Sequence, residues 1–133
     1  MSQEAFVPPE ILIVDDNATM RKLVALQLKK LGFSSETADD GQEALERLGQ
    51  SVYRIVFMDI QMPVMDGIEA TRRIREMENG NQRHTIIVAL TGYCSRAECL
   101  AAGMDDFLAK PINIATLRST LEKWTNQGRL PPI

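Results

Sequence analysis

The stretch "IVFMDIQMPVMDG", residues 55–67, joins a strand pattern, an aspartate and a turn pattern. Residues 55–58 are apolar and partly β-branched, which predicts a strand buried on both faces. Asp59 directly follows this predicted strand, and the Asp66-Gly67 pair further along is typical of a turn. Burying a lone carboxylate is costly unless a cation, hydrogen bonds or water offset its charge. The position of Asp59 therefore has to be explained by what the rest of the chain brings to the same place.

Composition excludes several classes of protein. The chain has 133 residues, 44% hydrophobic and 25% charged, which is the profile of one globular domain. Its net charge of −3 argues against nucleic acid as a main partner. No apolar stretch approaches the roughly 20 residues of a membrane span, and "MSQEAFVPPE" lacks the features of a signal peptide. With only two cysteines, Cys94 and Cys99, we expect a reduced cytoplasmic protein without a metal-thiolate site.

Hydrophobic periodicity predicts strands and helices in strict alternation. Short β-branched runs predict the strands, and apolar residues spaced three or four apart predict the helices. The predicted strands are residues 11–14, 35–38, 55–58, 85–90 and 107–109, and the predicted helices are residues 19–31, 42–48, 68–77, 95–102 and 113–124.

This alternation predicts an α/β fold, because parallel neighbouring strands need crossover connections. Five units in this length indicate a doubly wound, flavodoxin-like (βα)5 domain, a five-stranded parallel sheet of strand order 2-1-3-4-5. Ligands bind such sheets outside the carboxyl ends of the strands. Five polar side chains are predicted at that edge: Asp15, Asp16, Asp59, Thr91 and Lys110.

The five side chains fit the chemistry of phosphoryl transfer. Three crowded carboxylates repel one another unless a hard dication lies among them, and oxygen ligands without His or Cys favour Mg²⁺. Lys110 and the Thr91 hydroxyl can bind phosphoryl oxygens. Asp59 can be the covalent acceptor, because carboxylates act as nucleophiles in phosphoryl transfer.

Four motifs occur in the order and spacing of a known family: "ILIVDDN", "VFMDIQMPVMDG", "IIVALTG" and "DDFLAKP". In these motifs the chain resembles a response-regulator receiver domain, and most of all receivers of hybrid sensor kinases or stand-alone single-domain regulators. The resemblance implies a receiver domain over residues 10–124, an N-terminal extension over 1–9 and a C-terminal tail over 125–133.

The resemblance assigns the acidic residues to two roles. Asp59 would be the phosphoacceptor. Asp15 and Asp16 would be the acidic metal pair, with Asp16 binding Mg²⁺ directly and Asp15 acting through water. Gln61, two residues after the acceptor, would offer its backbone carbonyl to the metal.

The resemblance also implies a switch. Thr91 and Lys110 would bind the phosphoryl oxygens, and Phe107 would occupy the aromatic switch position. The bond before Pro111 would be cis, although only about 5–6% of X-Pro bonds are.

Two residues are predicted to tune the lifetime of the phosphorylated state. Gln61 and Tyr93 would border the path of an attacking water, which must approach in line with the leaving oxygen. Gln61 could orient that water and the bulky Tyr93 could obstruct it. We expect obstruction to prevail and dephosphorylation to be slow.

The implied function is that of a phosphoacceptor in a two-component or phosphorelay system. The phosphoryl donor would be a histidine kinase or a histidine phosphotransfer protein. An output partner would bind the face formed by residues 91–118. The domain would be a cytoplasmic monomer or weak dimer that contacts neither nucleic acid nor membrane. It would not be an enzyme in the usual sense, because it would catalyse only its own phosphorylation and dephosphorylation.

Two alternatives stay open from the sequence. A haloacid-dehalogenase-like hydrolase also forms an aspartyl phosphate, but it carries an acid two residues after the nucleophile. Asn17 follows Asp15 and Gln61 follows Asp59 at that spacing. A receiver-like scaffold without phosphorylation would be favoured if Asp59, Lys110 or the early acids were missing, and all are present.

The remaining polar and sulfur-containing residues are interpreted as structural. The acidic pairs Asp39-Asp40 and Asp105-Asp106 do not follow apolar strands, so they are expected to be solvated. Expected surface positions also include His84, Arg72, Arg73 and Arg75, whereas Met58, Met62 and Met65 are expected to fill the core.

Overall fold

The protein, described by a computed structural model over residues 11–62, 65–79, 84–92 and 96–128, alternates strands and helices along these ranges. The strands are β1 (Ile11–Val14), β2 (Ser35–Ala38), β3 (Ile55–Asp59), β4 (Ile86–Thr91) and β5 (Asp106–Ala109). The helices are α1 (Ala18–Lys30), α2 (Gly41–Gln50), α3 (Gly67–Glu78), α4 (Arg96–Ala101) and α5 (Ile114–Asn126). Across these ranges, no helix combines the length and apolar character needed to cross a bilayer.

The strands form one parallel sheet in the order β2-β1-β3-β4-β5. Strand β1 lies in the middle of the first three strands, with Ile11 opposite Ser35 on one side and Ile55 on the other. On the far side of β3, Ile55 pairs with Ile86, and Val88 pairs with Asp106. The predicted fold class and strand order are confirmed.

Each face of the sheet carries its own core, because side chains alternate along a strand. All four residues of β1 are fully buried: Ile11 and Ile13 belong to one cluster, and Leu12 and Val14 belong to the other. The first cluster includes residues of α1 and α5, namely Val24, Leu28, Leu117, Leu121 and Trp124. The second includes residues of α2, α3 and α4, and the methionines Met58, Met62 and Met65, whose packing role is confirmed.

Several element boundaries differ from those predicted. Asp59 and Thr91 are the last residues of β3 and β4, not the residues after them. The ladder continues because backbone pairing does not depend on side-chain polarity: Asp59 pairs with Leu90, and Thr91 with Ala109. At the start of α1, the Asn17 side chain accepts hydrogen bonds from two backbone N–H groups, so the helix begins at Ala18, one residue before the prediction.

The solvated character predicted for Arg75 and for Asp105-Asp106 is wrong. Arg75 donates to the Gly103 carbonyl (2.9 Å) and forms a 2.7 Å ion pair with Asp105. Asp106 begins β5 and is only 7% exposed, with Lys123 3.1 Å from its carboxylate. These partners lie 17 to 30 residues apart in the chain, so periodicity could not reveal them.

The other surface predictions agree better with the structure. His84 is about half exposed, as expected of a surface residue, and its Nε2 lies 2.7 Å from Asp105. Arg72 and Arg73 are exposed and pair with Glu69 on the same helix. The Asp40 side chain caps α2, accepting from the N–H of Glu43 at 2.8 Å.

Candidate functional site

The carboxyl ends of the strands bring the predicted site residues to one edge of the sheet. Asp15 and Asp16 directly follow β1, and Asp59 ends the neighbouring strand β3. One carboxylate oxygen from each of these three residues lies within 4.8 Å of the other two. Lys110 follows β5 and places its ammonium in the same cluster, 3.1 Å from Asp59. The structure therefore places these four residues together at one edge of the sheet.

Asp59 is held by two donors on a single oxygen. Its Oδ1 accepts from Lys110 Nζ at 3.1 Å and from the backbone N–H of Gln61 at 3.2 Å. The residue is only 3% exposed, so both bonds act in an environment that screens charge weakly. Neither bond involves Oδ2, so its lone pairs are not committed to these two donors.

The surroundings of Asp15 disfavour the charged form of its carboxyl group. Its Oδ1 accepts from the Asn17 N–H at 2.9 Å, while its buried Oδ2 has no hydrogen-bond partner within the described part of the chain. Burial raises the pKa of the Asp15 carboxyl from the ordinary 3.8 to about 6. Repulsion from Asp59 adds to this increase, and the Asn17 N–H and Lys110 act against it.

Replacing Asp15 with asparagine is expected to stabilise the metal-free protein. The folded-state pKa of about 6 exceeds the ordinary 3.8, so the folded state binds the Asp15 proton more tightly than the unfolded state does. The stability of the wild type therefore falls as the pH rises from 3.8 to about 6. Above pH 7, Asp15→Asn should raise the free energy of unfolding in EDTA by up to about 3 kcal/mol. Urea titrations at pH 4 and pH 8 measure the effect, which should largely vanish at pH 4.

The control for this prediction is Asp39→Asn, which removes an acid whose side chain is 69% exposed. Its free energy of unfolding should change by less than about 0.5 kcal/mol at either pH. A less stable Asp15→Asn protein at pH 8 would contradict the electrostatic account of Asp15.

The donor set fits a hard divalent cation. All three side chains of the cluster supply carboxylate oxygen, and the orphaned Oδ2 of Asp15 is a buried acceptor that a cation would satisfy. Asp16 is exposed, so one side of the cluster faces water. Magnesium keeps several waters and takes few protein carboxylates, so a half-open cluster of this kind suits it.

The predicted switch residues lie on the two strands beyond Asp59. Thr91 is 5% exposed at the end of β4, and its carbonyl accepts from the Lys110 N–H at 2.8 Å. Phe107 on β5 is partly buried against the second core cluster, and the guanidinium of Arg96 lies 5.9 Å from its ring centre. The peptide bond before Pro111 is cis, as expected. Tyr93 lies outside the described residues.

Two residues that support the site were missed by the sequence analysis. A Cβ atom on Gly67 would lie 2.3 Å from the backbone oxygen of Asp59, so only glycine fits where α3 begins. The Asp66-Gly67 pair predicts a turn, but it does not predict this close approach. Arg21, in the second turn of α1, donates from Nη1 to the Asp15 carbonyl at 2.7 Å. Its position five residues after the Asp15-Asp16 pair was the available clue.

Comparison with known proteins agrees with this geometry. The profile of the response regulator receiver domain matches residues 11–122. Hybrid signal transduction histidine kinase A of Dictyostelium discoideum is 44% identical over 118 residues, which cover 85% of this chain and 6% of that protein. The response regulator mcs4 of Schizosaccharomyces pombe is 37% identical over 149 residues, covering 91% of this chain and 28% of the relative. The chain therefore spans a small part of these curated relatives.

Solved structures show the same similarity. One is the Saccharomyces cerevisiae complex of the histidine phosphotransfer protein Ypd1 with the receiver domain of Ssk1 (TM-score 0.80, 34% identity, 96% of this chain and 97% of that chain). Another is the receiver domain of a sensor histidine kinase from Pseudomonas aeruginosa PAO1 with magnesium in its active-site cleft. Its TM-score is 0.79 and its sequence identity is 36%, and the match covers 90% of this chain and 99% of that chain.

Proposed function

The chain belongs to the response regulator receiver domain family, and from this premise we propose that it accepts a phosphoryl group on Asp59 and changes conformation to signal to a partner. Receiver domains serve response regulators and hybrid kinases in phosphorelays. The observation that carries the assignment to Asp59 is its position in the cluster: a buried carboxylate at a strand end, 3.1 Å from Lys110 and grouped with two further acids.

In the proposed transfer, an Asp59 oxygen forms the new O–P bond as the P–N bond of a phosphohistidine breaks. The bonding electron pair of the P–N bond goes to the imidazole nitrogen. Lys110 donates to a phosphoryl oxygen during transfer, and the Thr91 hydroxyl, at the end of the neighbouring strand, donates to another. Mg²⁺, when bound, neutralises charge that develops on the phosphoryl oxygens.

The proposed metal ligands come from the loop after β1, the last residue of β3 and the loop after β3. Asp16 and Asp59 would bind Mg²⁺ directly, Asp15 through water, and Gln61 through its backbone carbonyl. Gln61 supports this role because its N–H already binds Asp59 at 3.2 Å, which holds the loop after β3 against the cluster. The domain would thereby catalyse its own phosphorylation and no reaction of an external substrate.

Incubation with acetyl phosphate tests the proposal. Intact-mass spectrometry should detect one phosphoryl adduct in the presence of Mg²⁺ and none in EDTA. Asp59→Asn should abolish the adduct, and the matched control Asp39→Asn should retain it. A normal yield of adduct in Asp59→Asn, or in EDTA, would refute the assignment.

The proposed phosphoryl donor is a histidine kinase or a histidine phosphotransfer protein. The similarity to a receiver solved in complex with such a protein supports this choice. We place the exchange in the cytoplasm, in keeping with a chain that has only two cysteines. The receiver would extend over residues 10–124 and act as a monomer or weak dimer, and its output partner would bind the face made by residues 91–118.

The lifetime of the phosphoryl group is proposed to depend on Gln61 and Tyr93, which would border the path of an attacking water. Tyr93→Glu should accelerate loss of the label clearly, by roughly tenfold, because a carboxylate can orient and activate water as a general base. The decay of the purified phosphoprotein after removal of acetyl phosphate measures this rate. The matched control is Tyr93→Phe, which keeps the bulk and should leave the rate nearly unchanged. An unchanged or slower decay in Tyr93→Glu would remove Tyr93 from the account.

Thr91 is proposed to relay phosphorylation to Phe107. As the Thr91 hydroxyl turns toward the phosphoryl oxygens, space opens for the ring of Phe107, which biases a two-state element. Beryllofluoride, a phosphoryl mimic, should change NMR shifts of the wild type over residues 91–118. Thr91→Ala should still bind beryllofluoride but show much smaller changes near Phe107. Wild-type changes confined to the loops that hold Asp16, Asp59 and Lys110 would contradict the relay.

A further inference from the structure

The carbonyl of Asp15 lies between two elements and accepts its hydrogen bond from a side chain, not from the backbone of either element. Strand β1 ends at Val14, and α1 begins at Ala18 after the Asn17 cap. A backbone acceptor in such a gap needs a partner from elsewhere. Arg21 supplies it: Nη1 reaches back from the second turn of α1 and donates to the Asp15 oxygen at 2.7 Å, a short, charge-assisted bond.

The second contact of the Arg21 guanidinium, through Nη2, contributes less to the stability of the protein. Arg21 Nη2 lies 3.4 Å from an Asp39 carboxylate oxygen, but the Asp39 side chain is 69% exposed. Exposed ion pairs of this kind stabilise a protein by less than about 1 kcal/mol. The Arg21 side chain itself is only 18% exposed, so its bond to the Asp15 carbonyl is the better shielded of its two contacts.

We propose that Arg21 is a positioning residue that holds the loop after β1 in the geometry needed to bind Mg²⁺. This inference rests on the proposed function of the cluster. The Asp15 N–H donates to the Ala38 carbonyl (3.2 Å), its Oδ1 accepts from Asn17 (2.9 Å), and its carbonyl accepts from Arg21. Of these three restraints, only the Arg21 bond comes from a side chain anchored in a helix.

The charge of Arg21 and its positioning act on metal binding in opposite directions. A guanidinium near the acidic cluster repels a dication, so its charge alone weakens Mg²⁺ binding. Holding ligand residues in place strengthens metal binding, and the loss of such outer partners typically costs about 10- to 100-fold in affinity. The sign of the change after Arg21 is replaced therefore separates the two roles.

Calorimetric titration with Mg²⁺ tests the proposal in four proteins: the wild type, Arg21→Met, Arg21→Lys and Lys22→Met. Arg21→Met should bind Mg²⁺ about tenfold more weakly than the wild type. Arg21→Lys, which keeps the charge and one donor, should recover affinity to within about threefold. Lys22→Met removes an exposed charge from the same turn of α1 and should bind Mg²⁺ equally well or slightly more tightly, by less than about twofold.

Equal or tighter binding in Arg21→Met would overturn the proposal, because electrostatic relief would then be the only effect. A merely structural role would lower the free energy of unfolding in EDTA while the folded variant kept its Mg²⁺ affinity, which would also overturn it. Failure of the wild type to bind Mg²⁺ would instead contradict the proposed function, so the two failures are distinguishable.

A second measurement needs no variant. Because coupling between two interactions is reciprocal, Mg²⁺ must strengthen the Arg21 contact if Arg21 promotes Mg²⁺ binding. Proton exchange at the Arg21 guanidinium, followed by NMR in the wild type, should slow when Mg²⁺ is added. Exchange that is unchanged or faster would overturn the proposal.

Discussion

Replacing Lys110 with alanine is expected to slow phosphorylation of Asp59 about 100-fold or more while Mg²⁺ still binds. The ammonium lies 3.1 Å from Asp59 and 3.9 Å from Asp15, which places a fixed positive charge beside the proposed transfer. Losing one preorganised donor to a developing oxyanion typically costs 10²–10³-fold in rate. Mg²⁺ should bind at least as tightly, because the variant has lost a competing positive charge. The initial rate of adduct formation with acetyl phosphate measures the first effect, and calorimetry measures the second.

Lys123→Ala is the matched control for this prediction. In the wild type, the Nζ of Lys123 also lies 3.1 Å from a carboxylate, that of Asp106. Lys123 is on α5, away from the acidic cluster. Its phosphorylation rate should stay within about twofold of the wild type, in contrast to the loss expected for Lys110. A Lys110→Ala protein phosphorylated at the wild-type rate would exclude the ammonium from the transfer.

Gly67→Ala is expected to lower the free energy of unfolding by about 3 kcal/mol, near the upper end of what overpacking usually costs. The added Cβ would lie 2.3 Å from the Asp59 backbone oxygen and 2.9 Å from the Ile60 Cα. Both contacts are with backbone, so no flexible side chain can move aside. The start of α3 or the end of β3 must shift instead. Urea denaturation followed by circular dichroism measures the loss.

Gly49→Ala provides the contrast, because a Cβ at that helical position meets nothing within 4 Å. Alanine there should raise the free energy of unfolding by about 0.5–1 kcal/mol through the lower entropy of the unfolded chain. Equal effects of the two substitutions would show that the close approach at Gly67 is not a constraint on the fold.

The strands and the site edge could be predicted because both depend on local patterns. Short β-branched runs such as "ILIV" are typical of strands buried on both faces, and parallel strands place their carboxyl ends at one edge of the sheet. Once the strand ends are assigned, the strand order of the sheet alone predicts that Asp15, Asp59 and Lys110 lie close together. No pairing of individual residues had to be inferred for it.

Contacts between distant residues could not be predicted in this way. The Arg75–Asp105 ion pair joins α3 to the loop before β5 across 30 residues, and nothing in the helical periodicity of α3 distinguishes Arg75 from its exposed neighbour Arg72. The bond from Arg21 to the Asp15 carbonyl depends on where β1 stops and where α1 starts. A one-residue uncertainty in either boundary is enough to hide it.

The most direct test of the account is to identify the residue that carries the phosphoryl group. Borohydride reduces an acyl phosphate to an alcohol, so an aspartyl phosphate becomes homoserine, which peptide sequencing by mass spectrometry can locate. After phosphorylation with acetyl phosphate and Mg²⁺, the account predicts homoserine at position 59 and intact aspartate at positions 15 and 16. Homoserine at position 15 or 16, or no reduction at position 59 in a protein that carries the adduct, would contradict it.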